Sequence, residues 1–166
     1  MSRFFQRFLA KLAFVFPGGD SWRPALHRLR GVQVGRNVWI SQYVYLDELY
    51  PEAITIGDNC TLGLRTSVFA HFHWGPRRAR NGFRPVIIEP NVFIGPHCVI
   101  LPGVRIGEGS VVKAGTIVTR SIPAGVFWGD SGAGPIAKVR VPLTRDHSYE
   151  EFLVGLQPVR RGGSHK

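Results

Sequence analysis

Two histidines, His71 and His73, stand two residues apart, immediately before a polar, basic stretch at 74–85. Imidazole changes charge near neutral pH, so either ring could take a proton from an attacking hydroxyl. The sequence pattern puts His73 on an outward strand position and His71 at a turn. His73 is therefore the first choice for a general base and His71 its competitor. His97 falls at another turn and reads as a surface or subunit-contact residue. His27, His147 and His165 have no site context. Cys60 and Cys98 lack metal-type spacing and are too few for a disulfide framework, which points to a reducing compartment.

These side chains are positioned by a repeat of six. Aliphatic residues open consecutive blocks at Ile88, Ile94, Ile100, Ile106, Val112, Val118 and Ala124. Two upstream sets follow the same rule: Val34, Ile40, Leu46 and Ile56, Leu62, Val68. The second position is Gly at Gly35, Gly57, Gly63, Gly95, Gly107 and Gly125. The fourth is Asn or Gly at Asn37, Asn59, Asn91, Gly103, Gly109 and Gly115, residues that tolerate left-handed backbone. The fifth is mostly small or β-branched and includes both cysteines. Positions five and one lie two apart on a short strand and point inward, so both thiols should be buried and inert as nucleophiles. Three faces of six residues close a triangular coil of roughly 18 residues, and stacked coils pair in parallel. A β-sandwich does not predict a register of six kept over seven blocks.

The repeat breaks at an acidic bulge, 47–53, at the loop 74–85 and at 129–135. Residues 1–31 precede it. Within them, 3–16 carry Arg3, Arg7 and Lys11 four apart among Phe4, Phe5, Phe8, Leu9, Leu12 and Val15. That is an amphipathic basic helix, suited to capping the β-helix end and to lying on an anionic membrane. A second helix is predicted over 21–30, with Ser21 as its N-cap. The repeat proper spans 32–140. Residues 141–166 hold a last helix over 147–156 and a disordered tail from 160. No apolar run reaches the ~20 residues of a spanning helix. The formal net charge of +10 is spread along the chain and comes with no nucleic-acid-binding signature, which argues against a nucleic-acid partner.

Three stretches carry a family resemblance. They are the loop after His73, residues 86–107 (VIIEPNVFIGPHCVILPGVRIG) and residues 112–123 (VKAGTIVTRSIP). The chain resembles the hexapeptide-repeat acyltransferases, closest to the maltose, galactoside and nodulation O-acetyltransferases and the colanic-acid and other exopolysaccharide acetyltransferases. Residues 47–63 (DELYPEAITIGDNCTLG) followed by 70–73 (AHFH) are more similar to the polysaccharide group. The resemblance implies an all-β fold: a single-stranded left-handed parallel β-helix with short terminal helices. It also implies a homotrimer, with acyl-CoA along the groove between neighbouring β-helices and a histidine as general base.

In the sugar acetyltransferases that histidine ends a hexad before the extruded loop, which is His73 here; polysaccharide-type sequences place one in the Ala-His-Phe setting of His71. Asp47 occupies the upstream acidic position that orients the base or the acceptor. Acetyl-CoA is the implied co-substrate, with no metal. Lys113, Arg120, Lys138 and Arg140 suit its phosphates; Gly115 suits close backbone approach, and Trp128, like Trp74, suits shaping the groove or packing in the trimer. Ser41 and Gln42 replace the sugar enzymes' asparagine pair, and 129–135 replaces their Gly-Asn-Pro-Ala closing motif.

The expected activity is transfer of an acetyl group to a sugar hydroxyl in cytoplasmic polysaccharide or glycan biosynthesis. Alternatives are N-acetylation of an amino sugar or antibiotic, a γ-carbonic-anhydrase-like zinc enzyme using His71, His73 and His97, and a non-catalytic trimeric scaffold. The zinc reading departs from that family's spacing, because only His97 follows within the repeat.

Overall fold

A computed structural model describes residues 3–72, 83–129, 134–144 and 146–159. The chain opens with α1 (Arg3–Val15) and α2 (Trp22–Leu29). Four coils of short strands follow. The first holds β1 (Gln33–Val34), β2 (Trp39–Ile40) and β3 (Tyr45–Leu46); the second β4 (Ile54–Ile56), β5 (Thr61–Leu62) and β6 (Ser67–Val68). The third holds β7 (Val86–Ile88), β8 (Phe93–Ile94) and β9 (Val99–Ile100); the fourth β10 (Arg105–Ile106), β11 (Val111–Val112) and β12 (Ile117–Val118). Every third strand pairs in parallel, giving three faces: β1-β4-β7-β10, β2-β5-β8-β11 and β3-β6-β9-β12.

The inward rule holds in the packing. Val34, Ile56, Ile88 and Ile106 stack in one column, Ile40, Leu62, Ile94 and Val112 in a second, and Leu46, Val68, Ile100 and Val118 in a third. All but the end residue Val34 are fully buried. Position five fills the space between the columns, and Cys60 and Cys98 lie there as free, buried thiols. An interior column residue touches its neighbours above and below, so truncating one to Ala costs about 2–5 kcal/mol.

The turn residues have separate physical roles. Asn37, Asn59 and Asn91 all take positive φ at one corner. There Asn37 Nδ2 donates to Asn59 Oδ1 (3.0 Å) and Asn59 Nδ2 to Asn91 Oδ1 (3.1 Å), a ladder up the edge. The second-position glycines are needed for close stacking. A Cβ on Gly107 would stand 2.3 Å from the Ala124 backbone nitrogen.

The seventh hexad departs from the sequence reading. Ala124 is exposed, and Ile122 bridges to Ile106 and takes the inward place. The coil has lost two residues, so Trp128 stacks on Val112 and Gly125 becomes the positive-φ turn residue. Beyond it lies an antiparallel ribbon absent from the sequence-based reading: β13 (Val126–Gly129), β14 (Gly134–Val139) and β15 (Leu156–Pro158). The last helix, α3 (Tyr149–Val154), starts with a capping box in which Ser148 Oγ accepts from the Glu151 N–H and the Glu151 carboxylate accepts from the Ser148 N–H. Ser21 precedes α2, but its side chain makes no capping hydrogen bond.

Candidate active site

The three corners of the prism carry different chemistry. One holds the asparagine ladder. The corner between the second and third faces stacks Tyr43, Arg65, His97 and Gly115, all at positive φ. At the remaining corner, after the third face, lie the acidic bulge and the turn that bears His71.

At that last corner Asp47 follows β3 and His71 follows β6 by three residues. Asp47 N–H donates to Val68 O (3.0 Å), which stacks the two turns. The Asp47 side chain is 0% exposed and points back at the second coil. Its Oδ1 accepts from the Leu49 and Tyr50 N–H groups at 2.9 and 3.2 Å. Its Oδ2 accepts from the Ala70 N–H at 2.8 Å and lies 2.5 Å from His71 Nδ1. All four partners of the carboxylate are donors once His71 carries its proton on Nδ1. That tautomer puts the basic lone pair on Nε2.

His71 is 7% exposed and packs beside an aromatic ring. Tyr50 lies 5.5 Å from the imidazole, and Phe83, near the end of the 74–85 stretch, lies 5.3 Å from Tyr50. Arg84 N–H donates to Ala70 O (2.7 Å), tying the loop's return to the turn that bears His71. The bulge is itself anchored from beneath. Arg30, fully buried at the end of α2, donates to Leu46 O (2.7 Å) and Asp47 O (2.8 Å), and through Nε to His27 Nδ1 (3.0 Å). Burial lowers the Arg30 guanidinium to about 10, with Tyr45, Asp47 and Glu48 opposing. Burial, then the positive charges of Arg30 and Arg23, push His27 well below the usual histidine range.

Of the sequence-selected catalytic residues, the fold joins Asp47 to His71. His73 and Trp74 lie outside the described residues. His97 is exposed at the second corner. Among the described residues no three His, Cys, Asp or Glu side chains gather as a metal site would require.

The residues selected for acetyl-CoA are dispersed on this chain. Lys113 and Gly115 sit at the second corner, and the space where a Gly115 Cβ would stand is open. Arg120 follows β12 at the His71 corner, two coils on, with its guanidinium 5.3 Å from the Trp128 ring centroid. Trp128 is 5% exposed and closes the end of the hydrophobic core. Lys138 and Arg140 alternate along and just beyond β14, both exposed, and Arg140 donates to Gln157 Oε1 (3.0 Å). Sequence reasoning missed Tyr50, Phe83 and Arg30. Tyr50 and Phe83 lie within two interruptions of the repeat, 47–53 and 74–85, which was their only signal. Arg30 had none.

Residues 85–120 match the family described as bacterial transferase hexapeptide (six repeats), and residues 53–69 match the hexapeptide repeat of succinyl-transferase. The chain is 34% identical to the galactoside O-acetyltransferase of Escherichia coli, over 85% of this chain and 70% of that protein. It belongs to the hexapeptide-repeat acetyltransferases. It is also 39% identical to YvoF of Bacillus subtilis, named as an acetyltransferase, over 73% of this chain and 65% of that protein. A hexapeptide-repeat acetyltransferase from Vibrio cholerae, solved in complex with acetyl-coenzyme A, superposes with a TM-score of 0.63 at 26% identity, covering 80% of this chain and 85% of that one. The β-helix is the left-handed one of this family. The chain spans about two thirds of the length of the curated relatives it matches.

Proposed function

We propose that the protein transfers an acetyl group from acetyl-CoA to a sugar hydroxyl, with His71 as general base and Asp47 as its orienting partner. The observation that carries this reading is the buried Asp47–His71 pair at the corner that bears the acidic bulge. Nε2 of His71 takes the acceptor's hydroxyl proton as that oxygen attacks the thioester carbonyl carbon. The tetrahedral intermediate collapses, the C–S bond breaks, and the proton passes to the departing sulfur. A backbone N–H near the turn is the expected stabiliser of the oxyanion. No acyl-enzyme is needed. The E. coli relative, a galactoside O-acetyltransferase, supports a sugar acceptor, and the polysaccharide-like 47–63 segment favours a glycan-biosynthetic one. The reaction belongs in the cytoplasm, in keeping with two free thiols.

The working form is a homotrimer. Lys113, Gly115, Arg120, Lys138 and Arg140 bind the co-substrate in the groove between neighbouring chains, and Trp128 stiffens its wall from inside.

The test is sugar-dependent thiol release from acetyl-CoA over a panel of mono- and disaccharides. The wild type and the variants His71→Ala, His73→Ala and Asp47→Asn are compared. General-base loss lowers kcat on the order of 100- to 10,000-fold in His71→Ala. Asp47→Asn is expected to fall in the same range, because an amide no longer selects the Nδ1–H tautomer. His73→Ala should keep most of its rate. Activity that survives in His71→Ala and dies in His73→Ala would reverse the assignment. Absence of turnover and of calorimetric CoA binding would refute the transferase reading.

A further inference from the structure

Capping the β-helix uses one side of α1 and leaves the other unexplained. Leu9, Ala10 and Ala13 are buried and dock the helix on the fold. Two further contacts fix its orientation: Gln6 Nε2 donates to Arg30 O (3.3 Å), and Phe14 O accepts from the Tyr43 N–H (2.8 Å). At 100° per residue the opposite side runs Phe4, Phe8, Lys11 and Val15. Phe4 is 82% exposed, Phe8 51% and Val15 54%. Phe5 flanks the stripe on one side, and Arg3 and Arg7 flank it on the other. Scattered exposed apolar residues need no explanation, but an aromatic stripe along an already docked helix does.

The charge identifies the occupant. The helix has three cations and no acid, and the first acidic residue of the chain is Asp20. A second copy of the same face would bring like charges together. We propose that the outward face of α1 lies in the surface of an anionic bilayer, with Phe4, Phe8 and Val15 in the acyl boundary and Arg3, Arg7 and Lys11 at the phosphates. Apolar burial and headgroup attraction are the two terms that hold such a helix in the interface. The β-helix would then hang from the membrane by the end that carries the first coil, with the Asp47 bulge near that end. This inference is independent of the transfer chemistry.

The experiment is vesicle flotation with the full chain. One set of vesicles is phosphatidylcholine alone; the other mixes it with an equal amount of phosphatidylglycerol. The wild type should float with the mixed vesicles, stay behind with the neutral ones, and release as salt rises. Replacing Arg3, Arg7 and Lys11 together by Gln should reduce partitioning on the order of 100-fold. Phe4→Ser with Phe8→Ser should reduce it roughly tenfold or more. Thiol release with a soluble sugar and the circular dichroism spectrum should match the wild type in both variants. Equal binding to both vesicles, no binding to either, or wild-type binding by the variants would overturn the proposal. So would a fall in light-scattering mass in the Phe variant, which would make the stripe a contact between copies.

Discussion

At the scale of single residues, the two cysteines give a test that does not involve the reaction. Burial pushes the Cys60 thiol up to about 12 and raises Cys98 as well. Thiolate is the reactive form, so neither should react with a disulfide reagent at pH 8 in the native protein, whereas both should react in denaturant. Titration with and without guanidinium checks this; a native thiol that reacts at once would mean the third or second coil opens. The cysteines' burial was legible in the sequence because position five of a hexad has only one direction to point. The same hexad logic put His73 on an outward strand position and His71 at a turn, which made His73 the first choice. That choice also rested on the place of His73 before the loop, and His73 lies outside the described residues. What distinguishes His71 is a contact with Asp47 made across coils, and a pairing 24 residues apart in sequence leaves no local trace.

At the scale of elements, the hexads could be read because burial repeats with the backbone. The places where reading failed are those where an element is set by a partner rather than by its own period. Two residues dropped after Val118 moved Ala124 to the surface, and the β13–β15 ribbon is held by pairing instead of by a repeat. α2 is likewise tied to a partner, because Arg30 at its end donates to Leu46 O and Asp47 O in the first coil and to His27 Nδ1 within the helix. His27 is 1% exposed, and Arg30 Nε donates to its Nδ1, so the native state needs the neutral ring. Its folded pKa lies below the unfolded one, and the unfolded chain binds the extra proton. Stability from this contact is therefore present above about pH 6.5 and declines as the pH falls below it. Chemical denaturation at stepped pH should show that loss, and His27→Gln should flatten the dependence between pH 6.5 and 5. Arg30→Met is the harsher change. It leaves two buried carbonyls without their donor, which costs about 3 kcal/mol or more. It should also lower kcat, by freeing the bulge that fixes Asp47. A Met variant with wild-type kcat would remove Arg30 from any positioning role.

At the scale of the whole molecule, the proposed acyl transfer draws on groups that one chain holds apart. Asp47 and His71 occupy one edge of the prism, and Lys113 and Gly115 occupy another, with the third face lying between them. A single β-helix cannot fold that face away, because its outward strands are fixed by the columns beneath. A neighbouring chain can bring its own second corner against the first chain's catalytic edge, and a closed ring of three does so at every interface. The third face carries the apolar residue such a contact would use: Ile117 on β12 is 61% exposed. Light scattering should then give three times the 18.5 kDa mass of the chain. Ile117→Arg should lower that mass while the far-ultraviolet spectrum stays unchanged, since the residue contributes nothing to the core. Thiol release should fall with the mass and return as protein concentration is raised. If the rate per chain held constant in a proven monomer, the site would be complete within one chain, and the phosphate-binding cations would have to be sought on the His71 edge, beginning with Arg120.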